Sequence, residues 1–341
     1  MPRQSRIDAP GALHHIMVRG IDRKRLFADD SDREDFIGRL SGLVEESRTR
    51  CYAWALMTNH VHLLLRTGTV AIASVMRRLL TGYAIRFNRR HRRCGHLFQN
   101  RYKSILCEED PYLKQLVAYI HLNPVRAGLV VDCLALKSYP FTGYSALMGK
   151  YKRHWQDTDY VLALFGRTVS ESRKKLHDHI SQWSAKGRCA DLTGGGLIRS
   201  AGGWQAIKDA YRDGVKIAGD ERMLGSSNFV ETTLKENQEA YDRRTMLRSA
   251  GIDLSAVITT ACRYLGIDEA ELAGRTRRIE IARARALIGC IATQELLISG
   301  SELARRFNID RSAVSRAARR AAHDPKLIEV AKEVLSILYP T

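Results

Sequence analysis

Asn59-His60-Val61-His62-Leu63-Leu64-Leu65 alternates in the manner of a β-strand, in which every second side chain shares a face. Val61 then enters a core, while His60 and His62 point together the other way. Two neutral imidazoles so placed suit a divalent cation. Thr58-Asn59 just ahead is turn chemistry, so the strand predicted over residues 51–57 folds back onto this stretch as a hairpin. Working outward, residues 13–19 read as a strand and 30–47 as an amphipathic helix through Phe36, Ile37, Leu40 and Leu43. Residues 70–91 read as a second helix and 96–107 as a fourth strand. The order βαββαβ predicts an α+β domain built on a ferredoxin-like antiparallel sheet with helices on one face.

A further helix is predicted over residues 110–122, with Asp110 as N-cap, Pro111 in the first position and an apolar stripe of Leu113, Leu116, Val117 and Ile120. Tyr119 and Asn123 lie four apart and share one of its faces. A phenol and a carboxamide would thus approach the metal together, and a third ligand would leave positions open for a substrate phosphate.

The 341-residue chain carries 55 Lys and Arg against 37 Asp and Glu, a formal charge of +18, so an anionic polymer is the first partner to consider. Between Ser47 and Cys107 there is no acidic residue, while Arg77, Arg78, Arg86, Arg89, Arg90, Arg92, Arg93, Arg101 and Lys103 all fall there. Tyr83, Phe87, Phe98 and Tyr102 interleave with them, and exposed rings among arginines suit the stacking of unpaired bases. Seven scattered cysteines form no C-x-x-C pair, which predicts reduced thiols rather than disulfides or structural zinc. With no run of about 18 apolar residues and a polar start, the expectation is a cytoplasmic, nucleoid-associated protein with no membrane partner.

These motifs, in this order, carry a resemblance. His60-Val61-His62, Phe87-Asn88-Arg89-Arg90-His91, Gly95-His96-Leu97-Phe98-Gln99-Asn100-Arg101-Tyr102-Lys103-Ser104 and Tyr119-Ile120-His121-Leu122-Asn123-Pro124-Val125-Arg126-Ala127-Gly128 resemble the REP-associated tyrosine transposases. These are single-tyrosine members of the HUH (His-hydrophobe-His) endonuclease superfamily. The resemblance implies His60, His62 and Asn123 as ligands of Mg²⁺ or Mn²⁺ and Tyr119 as nucleophile. It implies cleavage and transfer of single-stranded hairpin DNA through a 5′-phosphotyrosine. The turn Arg19-Gly20-Ile21-Asp22-Arg23-Lys24-Arg25 resembles the family's strand-end loop near DNA, so Arg19, Arg23, Arg86, Arg89, Arg90, Arg93, Arg101 and Lys103 are its expected DNA contacts. His14 replaces the family's usual Tyr and Ile21-Asp22 a commoner Asn pair, departures that bear on sequence preference rather than chemistry.

This domain is expected over residues 1–146. Residues 147–245 read as a helical extension, with helices over 157–166 and 170–183, followed by a glycine-rich linker over 187–203; 220–225 and 229–230 recur in longer members of the same family with no evident physical role. Residues 246–341 read as an all-α helix-turn-helix domain. Ala304 sits where two helices touch, Asn308 takes a left-handed turn, Ile309 and Val314 enter the core, and Ser312, Ser315, Arg316, Arg319 and Arg320 point outward. This segment resembles the DNA-binding domain of the replication initiator DnaA, which implies duplex DNA as a second partner; a plain helical bundle is the alternative. A second copy of the chain also stands among the partners considered. The rival functions are a non-catalytic DNA-binding regulator with a vestigial site and an HUH replication initiator.

Overall fold

The computed structural model describes residues 7–8, 11–186, 220–274, 276, 278–296 and 298–338, so the glycine-rich stretch 187–203 lies outside the described residues. The chain forms two compact units, Met1–Thr233 and Leu234–Thr341.

The first unit is α+β. Its elements begin with β1 (Leu13–Arg19), α1 (Asp30–Ser47), β2 (Arg50–Leu56), β3 (His60–Arg66), α2 (Ile72–Arg90) and β4 (Lys103–Cys107), the predicted βαββαβ order. With β5 (Met223–Leu224) at one edge, sheet order is β2-β3-β1-β4-β5, with β1 pairing antiparallel to both β3 and β4. Period two commits each face. Ile16, Val18, Val61, Leu63 and Leu65 face α1 and α2 with Phe36, Ile37, Leu40, Leu79 and Tyr83. A bulge between Cys51 and Ala53 turns Tyr52 and Ala53 to the other face, beside Leu13, Leu64 and Ile105.

That second face is not open, contrary to the expectation of helices on one face only. It is covered by α3 (Glu109–His121), whose Leu113, Leu116, Val117 and Ile120 form the predicted stripe. Outside this lie the short helices α4 (Asn123–Arg126), α5 (Cys133–Leu136), α6 (Gly143–Leu147) and α7 (Thr158–Ala163), then the longer α8 (Val169–Ala185). Leu147, Val161, Leu162, Phe165, Leu176 and Ile180 belong to the same core. The first unit therefore runs well past the expected boundary at 146, because these side chains complete the core that includes α3.

Three local expectations are also corrected. The N-cap of α3 is Glu108, and Asp110 sits inside the first turn. The fourth strand starts only at Lys103. Leu97 and Gln99 bond across the end of β1, Ile21 N to Leu97 O at 3.0 Å and Gln99 N to Arg19 O at 2.9 Å, and then leave the ladder. Finally, the sheet is not purely antiparallel. Within 220–225, β5 (Met223–Leu224) adds parallel to β4, with Leu106 N on Arg222 O and Glu108 N on Leu224 O, both at 2.8 Å. Val230 and Phe229 pack beside it on Ile7 and Leu106. This segment thus covers an edge strand whose backbone would otherwise be open to pairing.

The second unit is helical: α9 (Ser227–Ser249) leads into it, followed by α10 (Leu254–Leu265), α11 (Ile279–Gln294), α12 (Gly300–Phe307), α13 (Arg311–Ala321) and α14 (Pro325–Leu338). Val257, Ile258, Leu287, Ile288, Leu303, Phe307 and Val314 form its core. Buried Arg285 is satisfied by carbonyls, donating to Leu272 O at 2.9 Å and Gly274 O at 2.7 Å. Among the described residues no helix is long and apolar enough to cross a membrane.

A chain ending at residue 146 loses six buried apolar side chains, each worth about 1.5–3 kcal/mol, a total comparable with the whole stability of a domain. It should show no cooperative melt by circular dichroism, whereas a chain ending at 233 should melt in one transition. A cooperative melt for the shorter chain would contradict the assignment of 147–180 to this core.

Candidate functional site

The face of the sheet beneath α3 gathers the polar side chains singled out in the sequence. In the β1–β3 register Arg19 lies opposite His60 and Met17 opposite His62. His62 is buried, while His60, at the strand's start, is half-buried. The Tyr119 ring comes down from α3 edge-on to His62, centroids 6.0 Å apart. His60 and His62 are themselves 5.1 Å apart. Asn123 follows one turn after Tyr119, and its Nδ2 donates to Tyr119 O at 2.9 Å and Ile120 O at 3.2 Å. Carbonyls only accept, so the amide nitrogen must face them, leaving Oδ1 as the atom able to ligate.

Two residues that sequence reasoning passed over belong here. His15, on β1, is buried with Nε2 3.0 Å from His62 Nδ1, and its ring meets Tyr119 edge-on at 5.8 Å. The His14-His15 doublet held the signal, since alternation must send one of the two to this face; His14 goes to the other, where Ser104 Oγ is 3.1 Å away. Arg126, on α4, sets its guanidinium 5.5 Å from the Tyr119 ring centroid. His121 points away from the site, toward Tyr144.

Electrostatics favours neutral rings. Desolvation, with Arg19 adding to it, holds the His60 pKa down at about 4. Desolvation, His15, His60 and Arg19 push that of His62 well below its ordinary value. Neutral imidazole is the ligating form, so the donor set of two such rings and a carboxamide oxygen fits a divalent cation. Among the described residues no group of three or more His, Cys, Asp or Glu side chains has the arrangement of a metal site.

Residues 10–123 match the family model described as Transposase IS200 like. This stretch is similar to the IS200-like transposases. It includes both histidines, Tyr119 and Asn123. No curated protein matches the chain. Five solved chains match, among them one described as a REP-associated tyrosine transposase bound to a REP hairpin, 17% identical, covering 45% of this chain and 89% of that one with a TM-score of 0.37.

The predicted DNA contacts of the first unit divide. Arg19, Arg23, Arg89, Arg101 and Lys103 are exposed, and Lys103 lies opposite Met17, on the histidines' face of the sheet. Arg86 pairs with Asp35 at 3.0 Å, and Arg90 with Asp29 at 2.6 Å and with Asp32. Arg93 lies 5.7 Å from the Phe87 ring. The stacking expectation is corrected as well: Tyr83, Phe87 and Tyr102 are core residues, the Tyr83 hydroxyl donating to Leu26 O at 2.6 Å, and Phe98 is half-buried. In the second unit Ser312 and Arg316 are exposed on α13, whereas Ser315 and Arg319 are half-buried.

In the metal-free chain His60 should titrate by NMR near pH 4 instead of 6.5, and Arg19→Ala should raise the midpoint only partly, desolvation being the larger cause. The folded value is depressed, so the unfolded chain takes up the proton first and this ring subtracts stability as pH falls from 6.5 toward 4. A midpoint at 6.5 would mean that the ring is hydrated.

Proposed function

We propose that the chain is a metal-dependent single-strand DNA endonuclease and strand transferase. The observation that carries this reading is the Tyr119 phenol standing against His62 and His15 on one sheet face, with Arg126 over its ring. Tyr119 Oη attacks the scissile phosphorus, forming a P–O bond to the 5′ side; the P–O3′ bond breaks, and the phenolic proton leaves as the 3′ oxygen becomes a hydroxyl. The reverse step with another 3′-hydroxyl joins strands. A bound Mg²⁺ or Mn²⁺, held by His60, His62 and Asn123, would stabilise charge developing on the phosphate oxygens. Arg126 and Arg19 bring fixed positive charge to the same face. Single-stranded, hairpin-forming DNA is the substrate class, supported by the motifs shared with REP-associated transposases and by the basic balance.

The second unit supports a duplex contact. Helix α12, a turn with Asn308 at φ 49° and α13 capped by Asp310 support the helix-turn-helix reading, with Arg311, Ser312, Arg316 and Arg320 exposed along α13. This is the segment that resembles the DnaA DNA-binding domain.

With a labelled single-stranded hairpin and Mn²⁺, wild type should give a covalent protein–DNA band, and Tyr119→Phe should abolish it while hairpin affinity is retained. Wild type that binds without any adduct would turn the reading to the non-catalytic regulator. For the second unit, Arg316→Ala should lower the salt slope of duplex binding by about 0.9 and leave hairpin cleavage untouched. Equal loss of both activities would refute the division of labour.

A further inference from the structure

Each of the two histidines has its Nδ1 engaged by a neighbour, and at His60 the chain of contacts fixes where the proton sits. Asn59 Nδ2 donates to the Arg23 carbonyl at 3.0 Å, while its Oδ1 lies 2.8 Å from His60 Nδ1. A backbone carbonyl only accepts, so the amide nitrogen of Asn59 must face it and Oδ1 must face the ring. An amide oxygen also only accepts. His60 Nδ1 therefore carries the proton, and Nε2 carries the lone pair.

The carbonyl that starts this chain is itself held by an unusual turn. Asp22 and Arg23 stand at φ 50° and 59°, a left-handed conformation that strains a side-chain-bearing residue. The turn is pinned to the hairpin by Gly20 N on Asn59 O and Leu26 N on Thr58 O, each 2.9 Å. Gly20 has to be glycine, because a Cβ there would run into the Lys24 carbonyl. At His62 the partner is His15, Nε2 to Nδ1 at 3.0 Å, both rings buried. If His62 is to offer Nε2 to a cation, its Nδ1 must donate and His15 must accept.

We propose that Asn59 and His15 are positioning residues of the candidate metal site, setting His60 and His62 as their Nδ1–H tautomers so that both Nε2 atoms are available before a cation arrives. The strained Asp22–Arg23 turn is part of this device, since it aims the carbonyl that orients Asn59. This inference rests on the reading of His60 and His62 as ligands.

The test uses the full chain and two readouts other than activity. In metal-free wild type, imidazole ¹⁵N shifts should report the Nδ1–H tautomer at both His60 and His62. Asn59→Ala and His15→Phe should each weaken Mn²⁺ binding by calorimetry about 10–100-fold, and the Asn59 variant should mix the His60 tautomers. His15→Gln, which keeps an acceptor, should recover part of the loss. Unaltered Mn²⁺ affinity in His60→Ala and His62→Ala would sink the ligand reading and this inference with it. Loss of binding in those two, with Asn59→Ala and His15→Phe binding as wild type or with wild-type His60 in the Nε2–H form, would overturn the positioning role alone. The wild-type spectrum decides the matter even where a variant fails to fold.

Discussion

The antiparallel register of β1 on β3 is the constraint on which the rest depends. Period two means that a slip of one residue would carry His60 and His62 into the α1/α2 core and push Val61, Leu63 and Leu65 under α3. What forbids the slip is not the site at all. Ile16, Val18, Val61, Leu63 and Leu65 are all essentially inaccessible to solvent, and exposing five such side chains would cost about as much as a domain's whole stability. The hydrophobic effect on one face thus sets the geometry of polar chemistry on the other. Tyr119 is placed by the same logic, since the stripe that seats α3 leaves its ring only one face to occupy.

Charge is organised in space in a way that sequence windows hide. Residues 48–106 contain no acid, yet the basic end of α2 is not an open cationic track. Helix α1 brings Asp29, Asp32 and Asp35 against it, and Arg86, Arg90 and His91 are partnered there. Negative residues at the start of one helix meet positive residues at the end of its neighbour, an arrangement both macrodipoles favour. Arg19 stands exposed instead beside the two histidines, whose protonation its charge opposes.

This difference marks what was legible in the sequence. Strand alternation, the α3 stripe and the hairpin turn are local, and they gave the element order and the face shared by His60, His62 and Tyr119. The start of β4 and the cover of the second face depend on partners far off in the chain, and the fifth strand on one more than a hundred residues away, Leu106 pairing with Met223. The aromatic run misled for a related reason: Tyr83 and Phe87 sit at helical spacing on α2's inner side, and a ring beside an arginine in sequence can point away from it in space. His15 was hidden behind His14, because alternation says that one of the doublet joins the site, and only the register says which.

The second unit was easier to read because its signals are local. Asn308 takes the left-handed C-cap, Asp310 accepts from Ser312 N at 2.7 Å, and Ala304 and Val314 are buried, each as a sequence neighbour would require. What local reading could not supply is how tightly α13 lies against its neighbours. Added Cβ atoms at Gly289 and Gly300 would stand 3.1 Å from Ala318 Cβ and Ser315 Oγ, so the inner side of α13 is built from small residues that let the backbones approach. Ser312, Arg316 and Arg320 lie exposed on the other side, with Arg316 donating to Ser312 Oγ at 2.9 Å, so their positions owe nothing to this packing.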